Sequence, residues 1–201
     1  MSLITEAVEK LRVLMAGSGL EDGIVTLKRN PDAPRCQYER GVCIEAHFGG
    51  GHGQVTTGSP LQAATRISFM YGASLGSPEE RTAALAILNA AGGFLALTRK
   101  LHACRPEDYP ACLSELCEVL GATRVACIGD TAVLPHELGT QLVHSPEEAE
   151  VILVVADGAI APSTADLIER WRGKKRMIFL GPSFPGLCAM LNLEHWCPYG
   201  R

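Results

Sequence analysis

The sequence predicts an α/β protein in two parts, the second built on a small, doubly wound parallel sheet of Rossmann-like type. Three observations carry this. The second half holds near-continuous apolar runs, RVACIGD, EVILVVADG and RMIFLGPS, the pattern of parallel strands covered on both faces. A helix over 163–172 separates the last two runs, and strand–helix–strand repetition implies right-handed crossovers. The first half has a different grammar, with a hairpin and two marked helix starts. The division falls at residue 103, giving parts 1–103 and 104–201.

Each element follows from local signals. Residues 3–16 read as an amphipathic helix with Leu3, Ala7, Leu11 and Leu14 on one face, ended by Gly17 and Gly19. GIVTLKR at 23–29 and GVCIEAHF at 41–48 read as paired strands joined by a stretch rich in Asn, Asp and Pro. The run Gly49, Gly50, Gly51 and Gly53 is expected to break regular structure. Ser59-Pro60-Leu61-Gln62 and Ser77-Pro78-Glu79-Glu80 each place a cap, a proline at the first helical position and a Gln or Glu at the third. They predict helices near 61–72 and 79–100. The second of these is rich in alanine and contains Gly92-Gly93, which implies close packing against another element, or a break. A helix near 107–120 ends at Gly121, and TQLVH at 140–144 is read as a further strand.

Composition narrows the classes of function. Lys plus Arg number 18 against 22 Asp plus Glu, a net charge of −4. A mildly acidic chain lacks the positive field that phosphate backbones require, so nucleic acid is not the expected partner. No uncharged apolar run reaches the length of a membrane span, and the first residues form a charged amphipathic helix rather than a leader. The expectation is a cytoplasmic protein with no membrane partner, whose eight cysteines are thiols. Homo-oligomer formation stays open.

The candidate site lies at the strand ends. Val125–Ile128 runs into Gly129-Asp130, Val151–Val155 into Asp157-Gly158, and Met177–Leu180 into Gly181-Pro182-Ser183. Parallel strands put all three turns on one edge, where open α/β sheets bind ligands. Gly129, Asp157, Gly158, Gly181 and Ser183 are expected to line one pocket. Asp130 and Asp157 would accept ligand hydroxyls or hold a cation. Ser183 either caps the next helix or donates to a ligand oxygen. Asn89, a polar amide among alanines, is expected at the junction of the two parts with a hydrogen-bond partner. The GxGxxG and P-loop patterns are absent, so neither a tight NAD nor a tight ATP site is expected. A second candidate is His47-Phe48-Gly49-Gly50-Gly51-His52, where His47, His52 and Cys43 are candidate ligands for a borderline metal, without a familiar motif spacing. His136, His144 and His195 would serve as bases only if the fold gathered them.

The run VILVVADGAIAPSTADLIERWRGKKRMIFLGPSFPG resembles the C-terminal domain of a family named for heavy-metal chelation, whose function is unknown. The matching features are Asp157-Gly158, Thr164, and Gly181-Pro182-Ser183 with Pro185. RVACIGD resembles that domain's first strand and turn. SPEERTAALAILNAA, with Ala83, Ala84, Ala86, Asn89, Ala90 and Ala91, resembles the end of the family's N-terminal domain. The resemblance implies an enolase N-terminal-like α+β part followed by the Rossmann-like part, with ligand contacts at Asp157, Gly158, Thr164, Gly181, Pro182 and Ser183. The asparagine that the family carries before Thr164 is missing here.

Three functions from different classes follow. One is a binding protein for a small anionic or metal-chelating molecule held between the two parts. Another is an enzyme of cofactor or metal-complex metabolism using the same cleft, with Asp130, Asp157 and Asn89 as its polar groups. A purely structural role is the third. The cofactor, if any, is unspecified beyond a metal ion or metal chelate.

Overall fold

Ser2 opens the chain's first helix by accepting a hydrogen bond from the Thr5 N–H on its side chain, and α1 (Leu3–Met15) follows. The computed structural model describes residues 2–201. Leu3, Ile4, Ala7, Val8, Leu11 and Met15 are buried. Leu14, expected on that face with Leu3 and Ala7, is 52% exposed near the helix end.

The hairpin forms as expected from β1 (Ile24–Arg29) and β2 (Val42–Phe48). The glycine run does not break structure. Gly49 and Gly50 take φ of +55° and +90° and turn the chain directly into β3 (Gly51–Thr57), which pairs with β2. Positive φ at both central residues is what a tight hairpin turn demands and glycine supplies. The helix expected near 61–72 is also absent. That stretch forms β4 (Ala63–Arg66), paired antiparallel with β1, then a 3-10 turn at Ile67–Met70. Thr57 Oγ1 accepts from the Ser59 N–H, so this serine sits in a side-chain-stabilised turn rather than at a helix start. An open edge on β1 then captures Ala63–Arg66. The other capping device acts as expected: Ser77 and Glu80 form a reciprocal box at the start of α2 (Pro78–Phe94). That helix stops six residues short of the expected end, where Leu95 and Leu97 turn their N–H groups back onto Ala91 and Gly92.

The second half is strand–helix repetition: α3 (Tyr109–Leu120), β5 (Val125–Ile128), α4 (Val133–Leu138), β6 (Val151–Val154), α5 (Ala156–Ile160), α6 (Pro162–Trp171), β7 (Arg176–Leu180), α7 (Pro185–Leu191) and β8 (His195–Trp196). The first sheet has order β3-β2-β1-β4 and is antiparallel; the second has order β5-β6-β7-β8 and is parallel. The expected strand at 140–144 shrinks to one parallel bridge, Leu142 with Val125, after a 3-10 turn that leaves little extended chain. The bridge still fixes topology. It puts Leu142 on the free side of β5, so the sheet follows the doubly wound order 2-1-3-4-5. The architecture is therefore a mixed α+β half followed by a Rossmann-like half.

The small residues of α2 are explained by α7. A Cβ on Gly186 would lie 2.3 Å from the Leu88 carbonyl oxygen, and one on Gly92 would lie 3.1 Å from Gly186 Cα. Two helix backbones thus touch across the junction of the halves. One apolar cluster runs through that contact, from Leu11, Ile44 and Leu85 to Ile152, Phe179 and Leu187. A second lies on the other face of the parallel sheet, around Tyr38, Leu116, Leu153 and Leu180. All eight cysteines are unpaired thiols. Among the described residues, no helix is long and apolar enough to cross a membrane.

Candidate functional site

β5, β6 and β7 run parallel and in register, so the turns after them share one edge. The chain leaves β5 toward the Leu142 bridge and leaves β6 toward β7. The crossovers therefore diverge between β5 and β6, and the crevice at such a switch point is where doubly wound sheets hold ligands.

The two turns at that point interlock through glycine. Gly129 has φ of +107°, and a Cβ on it would lie 2.4 Å from Val155 Cγ2 and 2.8 Å from the Gly158 nitrogen. A Cβ on Gly158 would lie 2.3 Å from the Ile128 carbonyl oxygen. Gly129 is half-buried, Asp130 is exposed and Asp157 is half-buried in the first turn of α5. Burial pushes the Asp157 carboxyl up; the Gly58 N–H opposes this and the Asp130 charge adds to it. Thr131 is buried with its Oγ1 unpartnered.

The third turn is closed. Gly181, Pro182 and Ser183 are buried, and what fills the space beside them is the first half of the chain. A Cβ on Gly181, whose φ is +89°, would lie 2.6 Å from Glu39 Oε1 and 3.3 Å from Cys36 Sγ. The Ser183 N–H donates to Glu39 Oε1 at 3.3 Å. Ser183 Oγ accepts from the Thr56 N–H at 3.0 Å. This corrects both roles expected of Ser183: α7 starts after Phe184 with no side-chain cap, and the hydroxyl binds β3. It also corrects the single pocket, since the close neighbour of Gly181 is the chain's own carboxyl group. His195 Nε2 donates to the Gly181 carbonyl at 2.8 Å, and burial holds its imidazole below the usual range.

Asn89 sits at the junction, fully buried. Its Nδ2 donates to the carbonyls of Gln54, Pro182 and Ser183 at 3.0, 3.3 and 2.9 Å, and its Oδ1 accepts from the Gly186 N–H at 2.9 Å. The amide is fully used in joining the halves. Thr164 lies beyond the strand ends in α6, its hydroxyl donating to the Ala161 carbonyl.

The residue missed by sequence reading is Glu39. It lies in the connection between β1 and β2, is 6% exposed, and leaves Oε2 without a partner. Burial pushes its carboxyl up to about 7; Ser183 and Thr56 offset part of this, and Asp157 adds repulsion. Its neighbour Arg40 reaches Asp130 at 3.0 Å. In the sequence both look like solvated charges of a turn, and no spacing marks them.

The metal candidates part company. His47 and His52 face each other across the β2–β3 hairpin with ring centroids 4.5 Å apart. Cys43 lies four residues up β2, buried, opposite Thr56. Among the described residues no three His, Cys, Asp or Glu side chains are arranged to hold a metal, so His47, His52 and Cys43 do not form a metal centre as they stand. Hairpin pairing extends the backbone and separates Cys43 from the two imidazoles.

No family model matches the chain, and no curated protein does. Among solved structures it is similar to a protein of unknown function of the DUF364 family from Pyrococcus horikoshii, with 14% identity over 94% of this chain and 82% of that one and a TM-score of 0.54. A DUF364 protein of unknown function from Desulfitobacterium hafniense matches at 13% identity over 92% of this chain and 82% of that one, with a TM-score of 0.47. The first likeness shows the fold. It places the chain beside proteins of unknown function and lends nothing to heavy-metal chelation.

Proposed function

We propose that the switch-point edge of the parallel sheet, roofed by the β1–β2 connection and the end of β3, binds a small molecule that offers hydroxyl or amine donors to carboxylates. The observation that carries this is Glu39: a buried carboxyl with an unpartnered oxygen, set against the turn after β7 and within electrostatic reach of the half-buried Asp157 at the switch point. A carboxyl pair is costly to keep in a junction that apolar residues could fill, and perturbed groups of this kind concentrate at functional sites. The acidic rim speaks against a free anion. A metal chelate would be held through the positive charge of its metal. The test is native mass spectrometry of the freshly purified protein beside D130N and D157N, followed by thermal shift against polyols, amines and metal chelates. A bound mass or a stabilising compound that both substitutions weaken is the expected result. A wild type that carries and binds nothing in either assay sinks the proposal.

The enzyme reading uses the same crevice and has one specific observation behind it. A Glu39 carboxyl poised at about 7 can both hold and release a proton near neutral pH. A ligand found there and turned over with a pH profile that E39Q abolishes would turn the binding protein into an enzyme.

A further inference from the structure

A separate concavity of about 290 Å³ lies between the β2–β3 hairpin and residues 98–102. Its walls include Arg99, Arg201, His52 and His102. This gathering of cationic and N–H-donating side chains occurs in a protein of net charge −4. We propose that this concavity binds a phosphate group carried by a small molecule, through the side chains of Arg99, Arg201, His52 and His102.

The framework is held in place before any ligand arrives. The Gln54 N–H donates to the Leu101 carbonyl at 3.1 Å, and the Ala103 N–H donates to Gln54 Oε1 at 2.9 Å. His102 and Arg201 exchange both backbone hydrogen bonds, at 2.7 and 3.0 Å. Leu101 packs onto Gly93, where a Cβ would lie 2.4 Å from its Cδ1. Segment 98–102 is therefore laid along β3 as a fixed wall.

Arg201 Nε already donates to the Ala103 carbonyl at 3.4 Å, which leaves its terminal nitrogens for a ligand; the other three side chains are free. Arg99 is exposed and, among the described residues, makes no side-chain hydrogen bond or ion pair. His52 is exposed, and His102 is half-buried. Burial first, then His52, Arg201 and His47, hold His102 below the usual imidazole range, while Glu45 opposes this. His47 feels the same push from burial, His52 and Lys28. The two guanidiniums carry the charge, and each imidazole ring offers an N–H donor. Charge-assisted bonds from guanidinium forks are the strong ones for phosphate. Two forks and two imidazoles offer more donors than a carboxylate's two oxygens take, which favours a phosphate group.

The experiment is an NMR titration of the full chain with inorganic phosphate at constant ionic strength, following the Arg99 side chain and the His52 and His102 rings. These signals are expected to move together and saturate. R99Q combined with H52Q, both at exposed positions, should bind about tenfold or more weakly, the loss of one or two charge-assisted bonds. R66Q, an exposed arginine on β4, should bind as the wild type does. The proposal fails if phosphate moves none of these signals, if the double variant binds equally well, or if chloride at matched ionic strength has the same effect. Acetate binding as tightly as phosphate overturns the choice of ligand. Zinc saturating the same imidazoles while phosphate stays silent overturns the site's chemistry.

Discussion

Replacing Asn89 by alanine should cost about 3–5 kcal/mol of stability, a large part of the total for a domain of this kind. The figure follows from its partners. The Gly186 N–H loses its acceptor inside a sealed junction, which costs about 1–3 kcal/mol. The carbonyls of Gln54, Pro182 and Ser183 lose a donor they share, at about 1 kcal/mol or less apiece because each keeps a second lone pair. The vacated amide adds a small cavity in a fully buried site. Urea unfolding followed through Trp171 and Trp196 is the assay, with a lower midpoint and an unchanged slope as the expected outcome. N89D sharpens it. The acid keeps one acceptor for Gly186 but turns its other oxygen toward three carbonyls, so its folded-state pKa is raised. Its defect is then smallest below the unfolded pKa and grows as pH rises through the folded one. A loss under about 1 kcal/mol in N89A, the range of an ordinary surface change, would refute the account of this amide as the joint between the halves.

The other predictions concern the strand-end turns and the acid beside them. G158A should be more damaging than G181A, because its Cβ meets the immobile Ile128 carbonyl at 2.3 Å whereas the Gly181 Cβ meets the end of the Glu39 side chain at 2.6 Å; thermal midpoints rank them. G181A still costs about 1–2 kcal/mol, from its positive φ alone. S183A should lose about 1–3 kcal/mol by orphaning the buried Thr56 N–H, where a mere lost cap would leave Thr56 untouched; amide exchange at Thr56 tells the two apart. Glu39 has its folded pKa raised to about 7, so the stability of the wild type should fall as pH rises from about 4.5 to 7, and E39Q should flatten that fall. Equal pH profiles for the two proteins would place the charge elsewhere.

Much of the second half was legible because buried parallel strands write continuous apolar runs, as in VILV and RMIFL, and each ends in a glycine or aspartate turn. The start of α2 was legible because Ser77 and Glu80 satisfy each other locally. Ser59-Pro60 carries the same letters, yet its fate was set by Thr57 behind it and by the open edge of β1, which no window of a few residues contains. The glycine run misled for a related reason: glycine signals backbone freedom, and only the pairing of His47 with His52 decides that the freedom makes a hairpin. The candidate site was half legible. Strand order tells where the C-terminal edge lies, but what covers it comes from the β1–β2 connection, whose Glu39 and Arg40 look like any solvated pair. The burial of Glu39 depends on a docking more than 140 residues apart in sequence, as the Glu39 to Ser183 bond records.

That docking gives the site a property worth testing at Asp157. Glu39 comes from the first half, Asp157 and Gly129 from the second, and the polar bonds beneath them join the halves. Variants of Asn89, Ser183 or Glu39 therefore disturb stability and site together, and cannot separate the two. Asp157 can. Its raised pKa means that the folded protein holds the ionised form against burial and against Asp130, so the charge works against the fold at neutral pH. An amide at the same position keeps an oxygen for the Gly58 N–H and sheds the charge. D157N should therefore be as stable as the wild type or more so at pH 7, with the difference vanishing at low pH, where the carboxyl is protonated in both states. The same substitution should weaken whatever the crevice binds. Stability gained with occupancy lost is the mark of a group kept for function rather than folding. A D157N protein that is destabilised at pH 7 and unchanged in binding would show instead that Asp157 belongs to the junction's framework, and the crevice would lose its principal ligand-facing group.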